Sequence, residues 1–328
     1  MEPTANTDAV ASGHDRPSWT HVLPAPVRSL GRPLLHKWWY FYGATREKLR
    51  EKLAAPSVTS YLMGGCANQI FQYATGLALA RRLGVNLQLD VSWYETATPD
   101  QPRLYSLGLF KGVDARVVHS LSGQIIRQEE FPYKPEQFEN APRKCSIVGY
   151  WQCEKYFFTL RDELRWRLLP KHALLPFHCD VERQVAQAGN RSAFMHVRRM
   201  DYVGHPYHVA LPTDYYREAA ALIAAKVPDP VFFIFSDEPE WCLANLNLPY
   251  KTVIAESSND GHLGREDAGL WLMRQCCHAI IANSSFSWWG AWLGADMNGG
   301  TVIAPKSWFG SASPYDSRDI VPGRWIRL

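Results

Sequence analysis

Short apolar runs alternate with longer amphipathic stretches from residue 57 onward, and this alternation sets the expected elements. Residues 58–63 read as a strand and residues 64–69 as a turn opening a helix, with Ile70, Phe71, Ala74, Leu77 and Ala78 on one face. Gly84 suits the left-handed position that ends a helix, and residues 85–90 form the next strand. The order gives a βαβ unit with glycines at its crossover. Between Glu95 and Arg143 prolines accumulate and periodicity fades, which predicts a looped region. Residues 145–149 then read as a buried strand and 154–169 as a helical run, while Pro170, Pro176 and the polar sequence up to Asn190 mark a seam between two halves.

The second half restarts with an apolar run, residues 192–195, that leads into His196. A loop covers 203–212 and a helix begins near Thr213. Residues 231–235 are unbroken apolar sequence, the pattern of a strand covered on both faces in a parallel sheet. Ser236, Pro239 and Glu240 supply the cap, proline and acidic residues of a helix start. Strands are expected at 252–255, 279–282 and 301–304, helices at 267–276 and 288–295, and a polar turn at 283–287. This repeated alternation predicts an α/β fold of two facing doubly wound domains, residues 57–185 and 186–328, behind an N-terminal extension, residues 1–56.

Composition narrows the function classes. The 328 residues are 46% hydrophobic and 20% charged, ordinary for a globular protein and long enough for two cores. A net charge of +3 is too mild to argue for nucleic acid, and no nucleic-acid-binding module is evident. Seven cysteines, odd in number and without C-x-x-C pairs, argue against a disulfide framework or a zinc site and suit a reducing cytoplasm. No apolar span reaches transmembrane length, and Glu2, Asp8 and Asp15 stand where a signal peptide would be basic and then apolar. The first twenty residues lack periodicity and read as disordered. Residues 27–52 interleave Arg28, Arg32 and Lys37 with Trp38, Trp39 and Tyr40. Such a segment either lies on an anionic membrane surface, here the inner face, or extends the main body as a helix whose aromatics pack on it.

Candidate chemistry gathers at two strand ends. His196-Val-Arg198-Arg199-Met200-Asp201-Tyr202 places adjacent guanidiniums where open α/β sheets bind ligands, and an arginine fork matches phosphate oxygens in pairs. The bland alternative is that the pair bridges neighbours such as Asp201. Asn283, Ser284, Ser285 and Ser287 surround another strand-to-helix turn, where they serve either as caps or as donors beside the helix N–H groups. Pyrophosphate is the natural common target. The sequence has no Asp-x-Asp pair of the kind that holds a metal on a nucleotide sugar and no Gly-x-x-x-x-Gly-Lys loop, so charge neutralisation by arginine and a helix dipole is the simpler expectation.

At these residues the chain resembles the α-1,2-fucosyltransferase family of inverting, metal-independent transferases that use GDP-fucose. The resemblance rests on residues 65–76, 196–202, Phe235-Ser-Asp237 with Trp241, and 283–293, with further matches at 149–157 and at 302–305 with Trp308. It covers roughly residues 58–310. It implies a GT-B type fold, with GDP-fucose held mainly by the C-terminal domain and no metal or other cofactor. On that resemblance Arg198 and Arg199 would grip the phosphates beside His196, with Asp237 on the donor side. Asn283, Ser284, Ser285, Phe286 and Ser287 would line the pocket, Asp267 would meet guanine, and Asn68 and Gln69 would approach from the other domain. The acceptor implied is a galactose-terminated oligosaccharide or glycolipid. For the acceptor proton, Asp201, His205 and His208 are the candidates, with Asp201 alternatively orienting the arginines and the two histidines alternatively solvated loop residues. The family usually has glycine where this chain has Met200, and Leu-Gly in place of Cys66-Ala67; a methionine at positive φ would be strained.

Overall fold

The computed structural model describes residues 55–96, 103–255 and 265–328. The N-terminal expectations, including the basic and aromatic segment 27–52, lie outside the described residues. Residues 55–328 form one compact unit holding two sheets, each built only of parallel pairings.

The first sheet comprises β1 (Ser57–Tyr61), β2 (Asn86–Asp90), β3 (Arg116–Val118), β4 (Gln124–Arg127) and β5 (Cys145–Val148), in the order β3-β2-β1-β5-β4. Helix α1 (Cys66–Leu83) makes the β1-to-β2 crossover and ends at Gly84, whose φ of +63° lets the N–H groups of Gly84 and Val85 reach back to Arg81 and Ala80. The expected single apolar face was too narrow a reading. Thirteen of its eighteen residues are buried, because the helix packs on β1 and β2 on one side and on the second half of the chain on the other. Its buried Gln72 is tied on two sides: the Met63 N–H donates to Gln72 Oε1 at 3.0 Å, and the Ser60 hydroxyl donates to the Gln72 carbonyl at 2.8 Å.

The region expected to be looped contains the edge strands β3 and β4 and a short helix, α2 (Glu136–Glu139). Both strands are brief and mostly exposed, so they carry little apolar pattern to betray them. The run from Glu154 is broken into two 3-10 turns before α3 (Arg161–Arg167). The polar seam is in fact helix α4 (Pro176–Ala188), with proline at its start and His178, Val181, Val185 and Ala188 buried at helical spacing.

The second sheet follows with β6 (Ser192–Val197), α5 (Thr213–Ala224), β7 (Val231–Ser236), α6 (Pro239–Asn245), β8 (Lys251–Ile254), α7 (Glu266–Gln275), β9 (His278–Ile280), α8 (Ser285–Leu293), β10 (Val302–Ala304) and β11 (Ile326–Arg327). Its order is β11-β10-β9-β6-β7-β8, which, counted from β6, is the 3-2-1-4-5-6 order of the doubly wound fold. The chain reverses its direction of growth between β6 and β9. In the first sheet the reversal falls between β1 and β5.

The two sheets share one core. Phe71 of α1 lies 4.6 Å and 4.8 Å from Trp288 and Trp289 of α8, and the Trp289 indole donates to the Ala67 carbonyl at 3.1 Å. Trp288, Trp289 and Trp292 are fully buried core residues. Trp292 donates to Glu154 at 2.7 Å, and Glu154 also takes two bonds from Arg324, at 2.5 and 2.7 Å. Among the described residues no helix is long and apolar enough to cross a membrane.

Candidate active site

The carboxyl ends of β6 and β9 flank the switch point of the second sheet, the crevice where open α/β sheets take ligands. His196 lies inside β6, and Arg198 and Arg199 leave its end. Beyond β9, Asn283 and Ser284 lead into α8, where the Ser284 hydroxyl accepts from the Phe286 N–H at 3.3 Å and caps the helix. Tyr202 joins the two ends. Its hydroxyl donates to the Asn283 carbonyl at 3.2 Å, and its ring lies 5.7 Å from the Arg198 guanidinium.

The two arginines are held differently. Arg198 pairs with Asp201 at 2.6 Å and with Asp237 at 3.0 Å and keeps other N–H directions open. Arg199 is clamped on the β7 side: its Nε meets Glu238 at 2.9 Å, its guanidinium lies 3.6 Å from the centre of the Trp241 ring, and its backbone N–H donates to Asp237 at 3.0 Å. Arg103, which the sequence reading passed over, reaches Asp201 from the first half of the chain at 3.5 Å. Its place in the low-periodicity region gave no signal. Three guanidiniums thus face the three carboxylates Asp201, Asp237 and Glu238, and the cluster is formally neutral. Burial raises the Asp237 pKa against the pull of Arg198. Asp201 is nearly half exposed, so its pair with Arg198 faces water.

His196 is buried, with its ring 6.0 Å from Phe286. Burial, and next the Arg198 charge, lower its pKa to about 3, so the imidazole is neutral throughout the working pH range. Its Nδ1 is buried without a protein partner, an orphan a ligand can satisfy. His208 stacks on Tyr202 at 4.7 Å, and burial followed by the neighbouring His205 lowers its pKa. Its Nδ1 is likewise unpartnered. Arg199, Tyr202, His205 and His208 help line a cavity of roughly 290 Å³.

Other expected residues serve the walls. The Asn283 amide donates to the carbonyls of Val209 and Trp308 at 3.1 and 3.0 Å, fastening two loops to the β9 end. Ser287 is fully buried, with its hydroxyl directed to the Ala282 and Ser284 carbonyls, so it braces the first turn of α8 and does not reach the crevice. Gln69 is fully buried as well; it donates to the Gly64 and Leu104 carbonyls and accepts from the Ser106 N–H. It holds the loop after residue 103 and lies off the open face. Asn68 is partly exposed and accepts from Gln152 at 2.8 Å, which ties together the two strand ends at the first sheet's switch point. Trp151, at φ +54°, turns the chain there. Asp267 is fully buried in the first turn of α7 and pairs with Arg265 at 3.0 Å, while its second oxygen has no partner. Ser285 and Phe286 are half-buried at the start of α8. Met200 does not adopt positive φ and its side chain is exposed, so replacing glycine there creates no backbone strain. No group of three side chains that could hold a metal ion occurs among the described residues.

The switch point of this parallel α/β body carries a guanidinium on one strand end and a capped helix start on the other, an arrangement suited in charge to an anionic ligand. The chain belongs to glycosyl transferase family 11, which it matches over residues 32–328, well into the N-terminal segment and through to the last residue. It is 31% identical over 299 residues to an Escherichia coli protein named alpha-1,2-colitosyltransferase, covering 83% of this chain and 98% of that one. It is 29% identical over 311 residues to the O-antigen biosynthesis glycosyltransferase WbnK of Escherichia coli, covering 82% and 99%. Among solved structures, the NodZ alpha-1,6-fucosyltransferase soaked with GDP-fucose aligns over 74% of this chain and 93% of its own, at 16% identity and a TM-score of 0.43.

Proposed function

We propose that this glycosyltransferase moves L-fucose from GDP-β-L-fucose to the 2-hydroxyl of a terminal β-galactoside with inversion, without a metal, and that its two sheets act as the facing domains of a GT-B fold. The observation that carries the reading is Arg198 and the start of α8 meeting at the switch point, linked by Tyr202. The donor pyrophosphate would take the free N–H groups of Arg198 in place of Asp201 and lie against the first N–H groups of α8. Arg199 would add its charge from the Trp241 clamp and fix the strand end. The neutral His196 would meet a donor oxygen, and Asp267 would meet guanine through its unpartnered oxygen.

In the displacement, the acceptor oxygen bonds to the anomeric carbon from the face opposite the leaving group. The carbon–phosphate oxygen bond breaks with its electron pair going to GDP. The hydroxyl proton goes to His208, because Asp201 already faces two guanidiniums while the His208 imidazole is neutral and unpartnered at Nδ1. The relative named for colitose transfer supports a second donor, in which fucose is replaced by that sugar on the same nucleotide. The test incubates the full chain with GDP-fucose or GDP-colitose and a panel of galactosides, with and without EDTA, and reads linkage and anomeric configuration by NMR. An α-1,2 product that survives EDTA is expected. Loss of activity in EDTA with recovery on adding magnesium would refute the cationic mechanism.

A further inference from the structure

Aromatic side chains outside the core form a second cluster beside the site. We propose that Phe131, Tyr150, Tyr207, His208, Phe309 and Tyr315 form a ledge that seats the acceptor as a galactopyranoside, its C–H face on the rings and its hydroxyls on the phenols and imidazole. The proposal rests on the transferase reading above and adds where the acceptor sits.

The ledge is continuous with the ion-pair cluster. Arg198 covers Tyr202, Tyr202 stacks on His208, and His208 lies 6.0 Å from Phe309. Phe309 is 5.3 Å from Phe131 and 5.7 Å from Tyr315, and Phe131 stacks near Tyr150 at 6.1 Å with a 14° interplanar angle. The rings therefore run from the proposed site of bond breaking onto residues of the first half of the chain.

Phe131 and Phe309 are partly buried where they pack on the edge of the main core, and the cluster opens to water at its tyrosines. The tryptophans of α8 are fully buried, whereas Tyr207 is 42% and Tyr315 52% exposed. Clustered aromatic surface left open to water on a built scaffold marks a binding face. A pyranose suits it, since one ring face is lined by C–H groups and the rim by hydroxyls, and tyrosine offers an apolar face with a polar tip at small entropy cost. The adjoining cavity of roughly 290 Å³ is at the small end of ligand clefts, a scale suited to one sugar unit.

The ledge is also fixed before any ligand arrives. The Gly310 N–H donates to the Tyr207 carbonyl at 2.8 Å, and a β-carbon at Gly310 would come within 2.9 Å of Val209. Asn283 ties the same two loops to β9. The N–H groups of Tyr150 and Trp151 both donate to Gln128 Oε1 at 2.9 Å, which sets the other end.

The test compares the full-length wild type with Tyr315→Ala and Tyr315→Phe. GDP affinity is measured by calorimetry, binding of methyl β-galactoside and lactose in the presence of GDP by saturation-transfer NMR, and the acceptor KM by product formation. The expected result for Tyr315→Ala is a KM raised roughly tenfold with a matching loss of galactoside binding, GDP affinity within about twofold, and recovery in Tyr315→Phe. An unchanged KM and unchanged galactoside binding in Tyr315→Ala overturn the ledge while leaving the transferase reading intact. Galactoside binding that is lost in Tyr315→Ala, in a protein that transfers no sugar, would uphold the ledge and overturn the transferase reading.

Discussion

At the scale of single residues, the neutral cluster around Arg198 makes the sharpest demands. Removing Arg198 takes away the N–H groups proposed to hold the donor phosphates and leaves Asp237, already raised by burial, without its main cation. Arg198→Ala is expected to lower kcat by about 10²–10³, the usual loss for one preorganised donor, and stability by about 1–3 kcal/mol. Turnover read beside a denaturant melt separates the two effects. Asp201→Asn should do the reverse for binding, because it frees Arg198 from a competitor, and calorimetry with GDP would show tighter association. Weaker GDP binding in that variant would mean that Asp201 orients the guanidinium and does not compete. The pH profile reports on His208. Its lowered pKa keeps the imidazole neutral below the usual histidine value, so kcat should rise with pH along an acid limb placed below about 6.5 and stay high above it. His208→Gln should lower kcat and abolish that limb; an unchanged limb would move the proton to another acceptor. The arginine pair, the serine turn and His196 were all legible in the sequence, because strand ends and helix starts advertise themselves by a change from apolar to polar residues. Arg103 was not, since nothing local distinguishes a basic residue in a proline-rich loop from a solvated one.

At the scale of elements, glycine and periodicity decide what is readable. Gly76 sits where α1 crosses β1 and β2, and a β-carbon there would come within 2.9 Å of Leu87 Cδ1 and 3.0 Å of the Ser60 β-carbon. Both neighbours are buried, so neither can swing away cheaply. Gly76→Ala is therefore expected to destabilise the protein by about 1–3 kcal/mol despite the better helix propensity of alanine, as measured by urea unfolding. A gain in stability would show that the helix can shift on the sheet. The central strands β6 and β7 were plain because both faces are covered and every position but His196 is apolar or small. By contrast, β3 and β4 are edges with charged ends, and β11 is only two residues long, so no window of alternation exists to detect. Helix α4 had its signal, at residues 178, 181, 185 and 188, but one of the four is histidine and the rest of the stretch is polar. Burial against α7 supplies what its propensity lacks.

At the scale of the whole molecule, α1 and α8 join the two sheets, since a helix from each half buries its aromatic side against the other. A shared core of this kind couples the sheets, although sequence alone predicted two separate cores joined by a seam. Around it runs a charged belt in which Glu154 and Asp296 meet Arg161 and Arg324. Burial alone would raise the Asp296 pKa, but Arg324, Trp325 and Arg161 hold it below the ordinary carboxylate value. A depressed carboxylate contributes stability that is present above its unfolded pKa and lost as pH falls through the folded one, so the Asp296 pairs weaken only in strong acid, below about pH 4. Arg324→Ala leaves buried Glu154 with Trp292 as its remaining partner and should cost about 2 kcal/mol near neutral pH. Calorimetry of the full chain should show both sheets melting in one transition, shifted down by roughly 3–4 °C in the variant. Two transitions in the wild type would mean that the α1–α8 contact does not bind the sheets into one cooperative unit. The crevice could then open by separating them, and GDP, which on the present reading touches chiefly the second sheet, would raise only the transition belonging to that sheet.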